Sequence, residues 1–197
     1  MSINSAEMQN LIYRVSHDDK KAFEELFDLF YDDIYKFVRY FVSEIDAEDI
    51  VSESFISVWR NRGRLNLVTD FKAYIYTIAR NLSYSFLHSN NRIVNVSLDE
   101  LPVSFDIDYS KVDTDLLRHE ADFVYKEALN SLPEKCKLIF LMVREDNLKH
   151  KEIAEILQIS VGTIEQQMNI AIKKLVEAIK IYSPEIKDKY SRKYTAV

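Results

Sequence analysis

Only two glycines and three prolines punctuate the 197 residues, and that scarcity constrains the fold more than any other feature of the sequence. Sheet-rich folds need many tight turns, and glycine and proline supply most of them. A chain so poor in both reads as all-α. Hydrophobic residues at 47% and charged residues at 29% leave enough apolar material for a buried core. The single cysteine, Cys136, excludes an internal disulfide framework and fits a reducing compartment. Residues 1–9 are polar and lack an apolar leader segment, and no apolar run is long enough to span a bilayer. The expectation is a cytoplasmic protein with no membrane insertion.

Three apolar stripes organise the first block. Phe23, Leu26, Phe27, Phe30, Ile34, Phe37, Val38 and Phe41 recur at three- and four-residue steps, with a bend expected near Tyr31 to Asp33. Asp46 is the expected N-cap of a second helix carrying Ala47, Ile50, Val51, Phe55, Val58 and Trp59. Asn61 to Thr69, with Gly63, reads as a loop. Asp70 then caps a third helix whose expected core row is Phe71, Ile75, Ile78, Leu82 and Phe86. Short connections let three such helices share one core.

Periodicity fails from about Asn90. Pro102, scattered apolar residues and alternating acids mark an extended linker, and residues 93–129 carry a net charge of −6, equal to that of the whole chain. A structureless stretch of this length does not sit comfortably inside one compact domain, so two tethered domains are expected. The division is a helical domain over 10–92, an acidic linker over 93–113, a second helical domain over 114–182 and a flexible tail over 183–197. Helical pattern resumes near Thr114. Ser131 and Glu134 form a capping-box pair around Pro133 ahead of Leu138, Leu141 and Met142.

A short helix over Lys149–Leu157, the turn Gln158-Ile159-Ser160 and a last helix from Val161 make a helix-turn-helix signature. Ile153, Ala154, Leu157, Ile159, Val161 and Ile164 are the expected packing residues, and Ser160 the expected cap. The last helix continues its buried face through Met168, Ala171, Leu175 and Ile179. Ser160, Thr163, Gln166, Gln167, Ile170, Lys173 and Lys174 lie off that stripe. In this motif the second helix enters the major groove. Glutamine pairs bidentately with adenine, which makes Gln166 and Gln167 base readers, while Ser160 and Thr163 suit phosphate beside a helix N-terminus. A solvated helical hairpin explains the same pattern without DNA. Glu165 weakens the electrostatic case, and an acidic chain argues against strong nonspecific DNA binding alone.

Three stretches in order resemble the extracytoplasmic-function (ECF) sigma factors of the sigma-70 superfamily. The first is Asp46-Ala47-Glu48-Asp49-Ile50-Val51-Ser52-Glu53-Ser54-Phe55 running on to Val58-Trp59. It is similar to the family's region 2 helix that grips the polymerase β′ subunit. The second, Phe71-Lys72-Ala73-Tyr74-Ile75-Tyr76-Thr77-Ile78-Ala79-Arg80-Asn81, resembles the helix facing the −10 element. The third is Leu132-Pro133-Glu134-Lys135 followed by the helix-turn-helix, which resembles region 4, reader of the −35 element. The resemblance implies two helical domains, region 2 and region 4, on an acidic linker. Core RNA polymerase (β′ and β), promoter DNA and an anti-sigma factor are the implied partners.

On this resemblance Asp46, Asp49, Ile50, Glu53, Phe55 and Trp59 would bind polymerase. Lys72, Tyr76, Arg80, Tyr84 and His88 follow four-residue steps, and with Asn66, Asn81 and Arg92 they would meet the −10 element. The loop from Arg62 to Thr69 corresponds to the family's pocket for a flipped −10 base, with Arg62 and Arg64 near phosphate and Asn66 at the base. Amphipathic tyrosines shielding a core, and acids favouring a helix N-terminus, explain much of this without a partner. Two departures stand out: Phe86 to Arg92 lacks the family's basic run, and the recognition helix is rich in glutamine rather than basic residues.

Nothing points to catalysis. His17, His88, His119 and His150 are scattered, no glycine-rich phosphate loop exists, and Cys136 reads as a packing residue. No cofactor or metal is expected. The rival reading is a helix-turn-helix regulator that acts without binding core polymerase, since the same block resembles the output domain of LuxR-type response regulators.

Overall fold

A computed structural model describes residues 4–89 and 125–182, except for the side chains of residues 179, 181 and 182. Every regular element among the described residues is helical. Two compact units emerge: residues 4–89 form the first, and the second is built on residues 125–154 and 159–182. The linker over 93–113, the helix start near Thr114, Arg92, the tail over 183–197 and the Ile179 side chain lie outside the described residues.

The first unit opens with a helix that the apolar stripes did not suggest. Helix α1 (Ser5–Ser16) starts at a capping box: Asn4 Oδ1 accepts from the Ala6 and Glu7 amides, and Glu7 accepts from the Asn4 amide. It buries only Leu11, Ile12 and Val15. Helix α2 (Lys20–Arg39) is capped by Asp19 and runs unbroken, so the bend expected near Tyr31 to Asp33 does not occur. Helix α3 (Glu44–Arg60) begins two residues before Asp46. Ser43, not Asp46, is its N-cap and accepts from the Asp46 amide. The stretch read as a loop contains a 3-10 helix, Arg62–Leu67, pinned by the buried Leu65.

Helix α4 (Phe71–Ser89) is capped by Asp70 as expected, with the Ala73 amide 3.0 Å from Asp70 Oδ1. Its buried face differs from the expected row. Phe71 and Ile75 are buried, but Ile78, Leu82 and Phe86 are only half-buried, and Ala73, Tyr76, Ala79, Arg80, Ser83 and Leu87 fill the interior. The reason is that α4 packs against both α2 and α3, which buries a wider arc than one stripe. Ser83 and Ser54 fit inside by donating to the carbonyls of Ala79 and Ile50 four residues back.

In the second unit, residues 125–130 are helical and Ser131 donates to the Ala128 carbonyl instead of capping. Helix α5 (Glu134–Arg144) therefore starts at Pro133 without the expected capping box. It is buried from Cys136 through Met142 and packs on α7 (Val161–Tyr182) through Ile164, Met168, Ala171 and Leu175. Helix α6 (His150–Leu157) completes the helix-turn-helix. Ile153, Ala154, Leu157 and Ile164 are buried as expected, Ile159 is half-buried, and Val161 is exposed because it stands in the first turn of α7. No helix among the described residues is long and apolar enough to cross a membrane.

Candidate functional site

The turn between α6 and α7 is fixed by backbone chemistry. Gln158 takes a left-handed conformation (φ 56°), its amide bonds to the Glu155 carbonyl and the Ile159 amide reaches back to Ala154 at 3.0 Å. This paired arrangement ends a helix while satisfying its last carbonyls, and glycine is its usual occupant. Ser160 then caps α7 as expected: its Oγ accepts from the Thr163 amide at 3.0 Å and lies 2.8 Å from the Thr163 hydroxyl.

Along α7 the outward face carries Gly162, Glu165, Gln166, Asn169, Ile170 and Lys173 around a shallow concavity. Gln166, Asn169 and Lys173 follow steps of three and four residues on this face, and Lys174 is exposed beside it. Gln167 is turned elsewhere: it is half-buried, and its Oε1 accepts from the Cys136 thiol on α5. Of the two glutamines expected to read bases, Gln166 is the one exposed on this face. Asn169 went unnoticed in the sequence, although its spacing from Gln166 was visible.

Helix α3 splits the residues expected to bind polymerase into two groups. Ile50 and Phe55 are core residues, Phe55 lying with its ring centroid 4.6 Å from that of Phe27 and 6.4 Å from that of Phe23. Neither presents a surface, because both fall on the stripe packed against α2. Trp59 is half-buried against Phe23, centroids 4.9 Å apart. Asp46 is held by the Ser43 hydroxyl, and Glu53 pairs with Arg60 at 2.8 Å. Asp49 is exposed, and with it a stripe of Ile45, Ser52 and Ile56 that the motif does not single out. Ile45 is 84% exposed and Ile56 42%.

The four-residue row on α4 does not form one outward face. Tyr76 is wholly buried, its ring centroid 4.8 Å from that of Phe37. Arg80 is also buried, and burial lowers its pKa. Its Nε and Nη2 donate to Asn81 Oδ1 at 3.1 and 2.6 Å, and its guanidinium carbon lies 5.7 Å from the Tyr84 ring centroid. Burial pushes the Tyr84 hydroxyl up to about 12, so it stays protonated at neutral pH. Tyr76 therefore leaves the outward row, and Tyr84 is half-buried with its hydroxyl enclosed. Asn81 and His88 are exposed, and the half-buried Lys72 reaches to 5.8 Å from the Tyr76 ring centroid.

On the 3-10 turn, Arg64, Asn66 and Leu67 are exposed, Leu67 by 76%. Arg62 points inward. It pairs with Asp18, donates to the Trp59 carbonyl at 3.0 Å and lies 4.5 Å over the Trp59 ring centroid. No cluster of three potential metal ligands occurs among the described residues.

These two helical units, one ending in a helix-turn-helix, match two family descriptions in the order expected. Residues 26–93 match sigma-70 region 2, and residues 123–175 match sigma-70 region 4. The chain belongs to the ECF sigma factors of the sigma-70 family. It is a polymerase-binding sigma factor that directs promoter recognition and transcription initiation. Among similar proteins is the ECF RNA polymerase sigma-E factor of Haemophilus influenzae, 26% identical over 167 residues, covering 81% of this chain and 88% of that one. The ECF sigma factor SigW of Bacillus subtilis is also 26% identical, over 166 residues, covering 80% and 89% of the two chains.

The sigma-factor fold is seen again in solved structures. CnrH, solved in complex with the cytosolic domain of CnrY, superposes with a TM-score of 0.60 at 18% identity, covering 88% of this chain and 97% of that one. RpoE of Bartonella quintana, solved with the anti-sigma factor NepR, gives a TM-score of 0.58 at 21% identity over 82% and 98% of the chains. The region 2 match separates this sigma factor from a regulator with a helix-turn-helix alone. Helix α1 lies outside both matched stretches.

Proposed function

We propose that this sigma factor divides its work among three surfaces that are narrower than the sequence suggested. The exposed stripe Ile45, Asp49, Ser52 and Ile56 on α3 docks on the polymerase β′ subunit, with Asp46, Glu53 and Trp59 shaping its rim. An exposed isoleucine pair beside carboxylates suits a partner surface that is apolar at its centre and basic at its edge. Lys72, Asn81 and His88 on α4, with Asn66 on the 3-10 turn, face the −10 element; Arg80 acts by holding Asn81. With Asn81 Oδ1 occupied by Arg80, its Nδ2 group is what remains to meet a base or phosphate. Binding unpaired −10 bases better than paired ones would bias promoter DNA toward the open state.

In the second unit Gln166 and Asn169 read the −35 element, Ser160, Thr163, Lys173 and Lys174 hold the backbone, and Ile170 packs on the groove wall. Amides pair bidentately with adenine, and one face carries both. The proposed domains are those expected over 10–92 and 114–182, the first extended at its start to take in α1 from Ser5, with the chain working in the cytoplasm as a binding protein and not as an enzyme. An anti-sigma partner is part of the proposal, since CnrH and RpoE were each solved with a bound partner.

The observation that carries this reading is the helix-turn-helix whose outward face holds Gln166, Asn169 and Lys173. Gel filtration of the purified chain with core RNA polymerase tests it. Comigration is expected, and Gln166→Ala should leave comigration intact while weakening promoter binding by the holoenzyme. A chain that ignores core polymerase and instead binds palindromic duplex DNA as a dimer would overturn the proposal.

A further inference from the structure

Helix α1 is built against the 3-10 turn Arg62–Leu67. At its end Asp18 adopts a left-handed conformation (φ 67°), with its amide on the Val15 carbonyl and the Asp19 amide on that of Arg14, both at 3.1 Å. Aspartate tolerates this conformation better than most residues. The following residue, Asp19, caps α2 and pairs with Arg14 at 2.8 Å, so the backbone around Asp18 is fixed on both sides. From that position the Asp18 carboxylate meets Arg62 Nε.

Arg62 begins the turn and is held on three sides. Besides Asp18, it donates to the Trp59 carbonyl at 3.0 Å and lies 4.5 Å over the Trp59 ring centroid. A guanidinium placed so is poorly available to a phosphate, contrary to the role the family resemblance implied for Arg62. The turn itself is weakly determined. A 3-10 helix has poorer hydrogen-bond geometry than an α-helix, and its buried anchor is the side chain of Leu65. Pins at its start therefore matter for where Asn66 and Leu67 stand.

We propose that Asp18 is a positioning residue for −10 recognition: through Arg62 it holds the Arg62–Leu67 turn in the shape that presents Asn66 and Leu67 to an extruded base. This rests on the reading that the turn meets a −10 base. Asp18 stands in the connection between α1 and α2, outside the stretch matched to region 2, while Arg62 lies within it. The Asp18 carboxylate is 69% exposed and the Arg62 side chain 32%. An exposed pair of this kind supports at most about a fivefold effect.

The test is run-off transcription with core polymerase from templates randomised across the −10 element, comparing wild type, Asp18→Asn, Arg62→Gln, the double variant and Asn66→Ala. Asparagine tolerates the left-handed backbone, so Asp18→Asn removes the charge and leaves the turn of chain intact. Expected is a loss of about three- to fivefold in base discrimination at one −10 position, with affinity for core polymerase and melting temperature unchanged. The Asp18→Asn effect should vanish once Arg62 is glutamine, because the two act as one unit. Wild-type base preference in Asp18→Asn, alongside altered preference in Asn66→Ala, would overturn the proposal alone. If Asn66→Ala also left preference untouched, the base-catching reading of the turn would fall, and the proposal with it.

Discussion

Phe55 and Ile45 sit on one helix, and the proposed docking surface gives them opposite duties. Phe55 is 2% exposed and Ile45 84%. Phe55 fills space between Phe23 and Phe27, so shortening it to leucine should cost about 1 to 1.5 kcal/mol, the range for hydrophobic swaps that change shape but conserve most volume. For a unit of this size that corresponds to a drop of about 4–12 °C in melting temperature. Ile45→Ala leaves the core untouched and places a good helix former in the first turn of α3, so stability should hold. If Ile45 is buried by polymerase, the variant loses about three methylene equivalents at about 0.8 kcal/mol each, or roughly 2 kcal/mol. That weakens core binding by about 30-fold. Thermal melts, paired with fluorescence titration of core polymerase well below either melting temperature, separate the two effects. The reasoning is refuted if fully folded Phe55→Leu binds polymerase much more weakly than wild type, or if Ile45→Ala binds equally well.

Four further outcomes concern the helix-turn-helix and α5. Gln158→Gly should stabilise the chain by about 1 kcal/mol in urea unfolding, since glycine removes the side-chain penalty of the left-handed turn. Gln166→Ala should relax −35 discrimination by about 1–3 kcal/mol in holoenzyme footprinting across variant promoters. Gln167→Ala should instead cost about 0.5–1.5 kcal/mol of stability and leave specificity alone, because its partner is Cys136. The Lys137 ammonium is buried on α5 beside Asn130, and burial lowers its pKa from 10.5 against the opposing pull of Glu134. The folded state then disfavours the charged form. Lys137 should therefore cost stability at neutral pH, the cost fading as pH rises through its lowered folded value towards 10.5. Urea melts across that window should show the rise in wild type and not in Lys137→Met.

Much of the architecture was legible because long apolar stripes at helical spacing leave few alternatives. Helices α2, α3, α4 and α7 all carry such stripes, and Asp70 and Ser160 cap where the sequence placed them. Helix α1 escaped because it buries just three apolar side chains, although Asn4 and Glu7 spell its capping box. The faces of α4 were misjudged for a related reason. Ala73, Ala79 and Ser83 mark where neighbouring helices approach, and a search for large apolar residues passes over them. Tyr76 was read as outward because tyrosine carries a polar tip, yet its ring completes the core against Phe37.

The candidate sites were legible by family pattern more than by physics. Motif position put Ile50 and Phe55 among polymerase-binding residues although both stand on the apolar stripe of α3, and it is the stripe that the packing follows. Periodicity alone could not say which glutamine faces the groove, since Gln166 and Gln167 differ by a single 100° step about the helix axis. The Cys136 thiol on α5 decides between them. Nothing local announced the inward turn of Arg62, because its partner Asp18 lies 44 residues away in sequence.

The most direct measurement is run-off transcription from a fully random promoter library by core RNA polymerase, with and without the purified chain. Transcripts that depend on the chain, enriched for two sequence boxes at a fixed separation, are the predicted result. Transcription indifferent to the chain, or enrichment of one box alone, would contradict a factor whose two helical units read promoter DNA together.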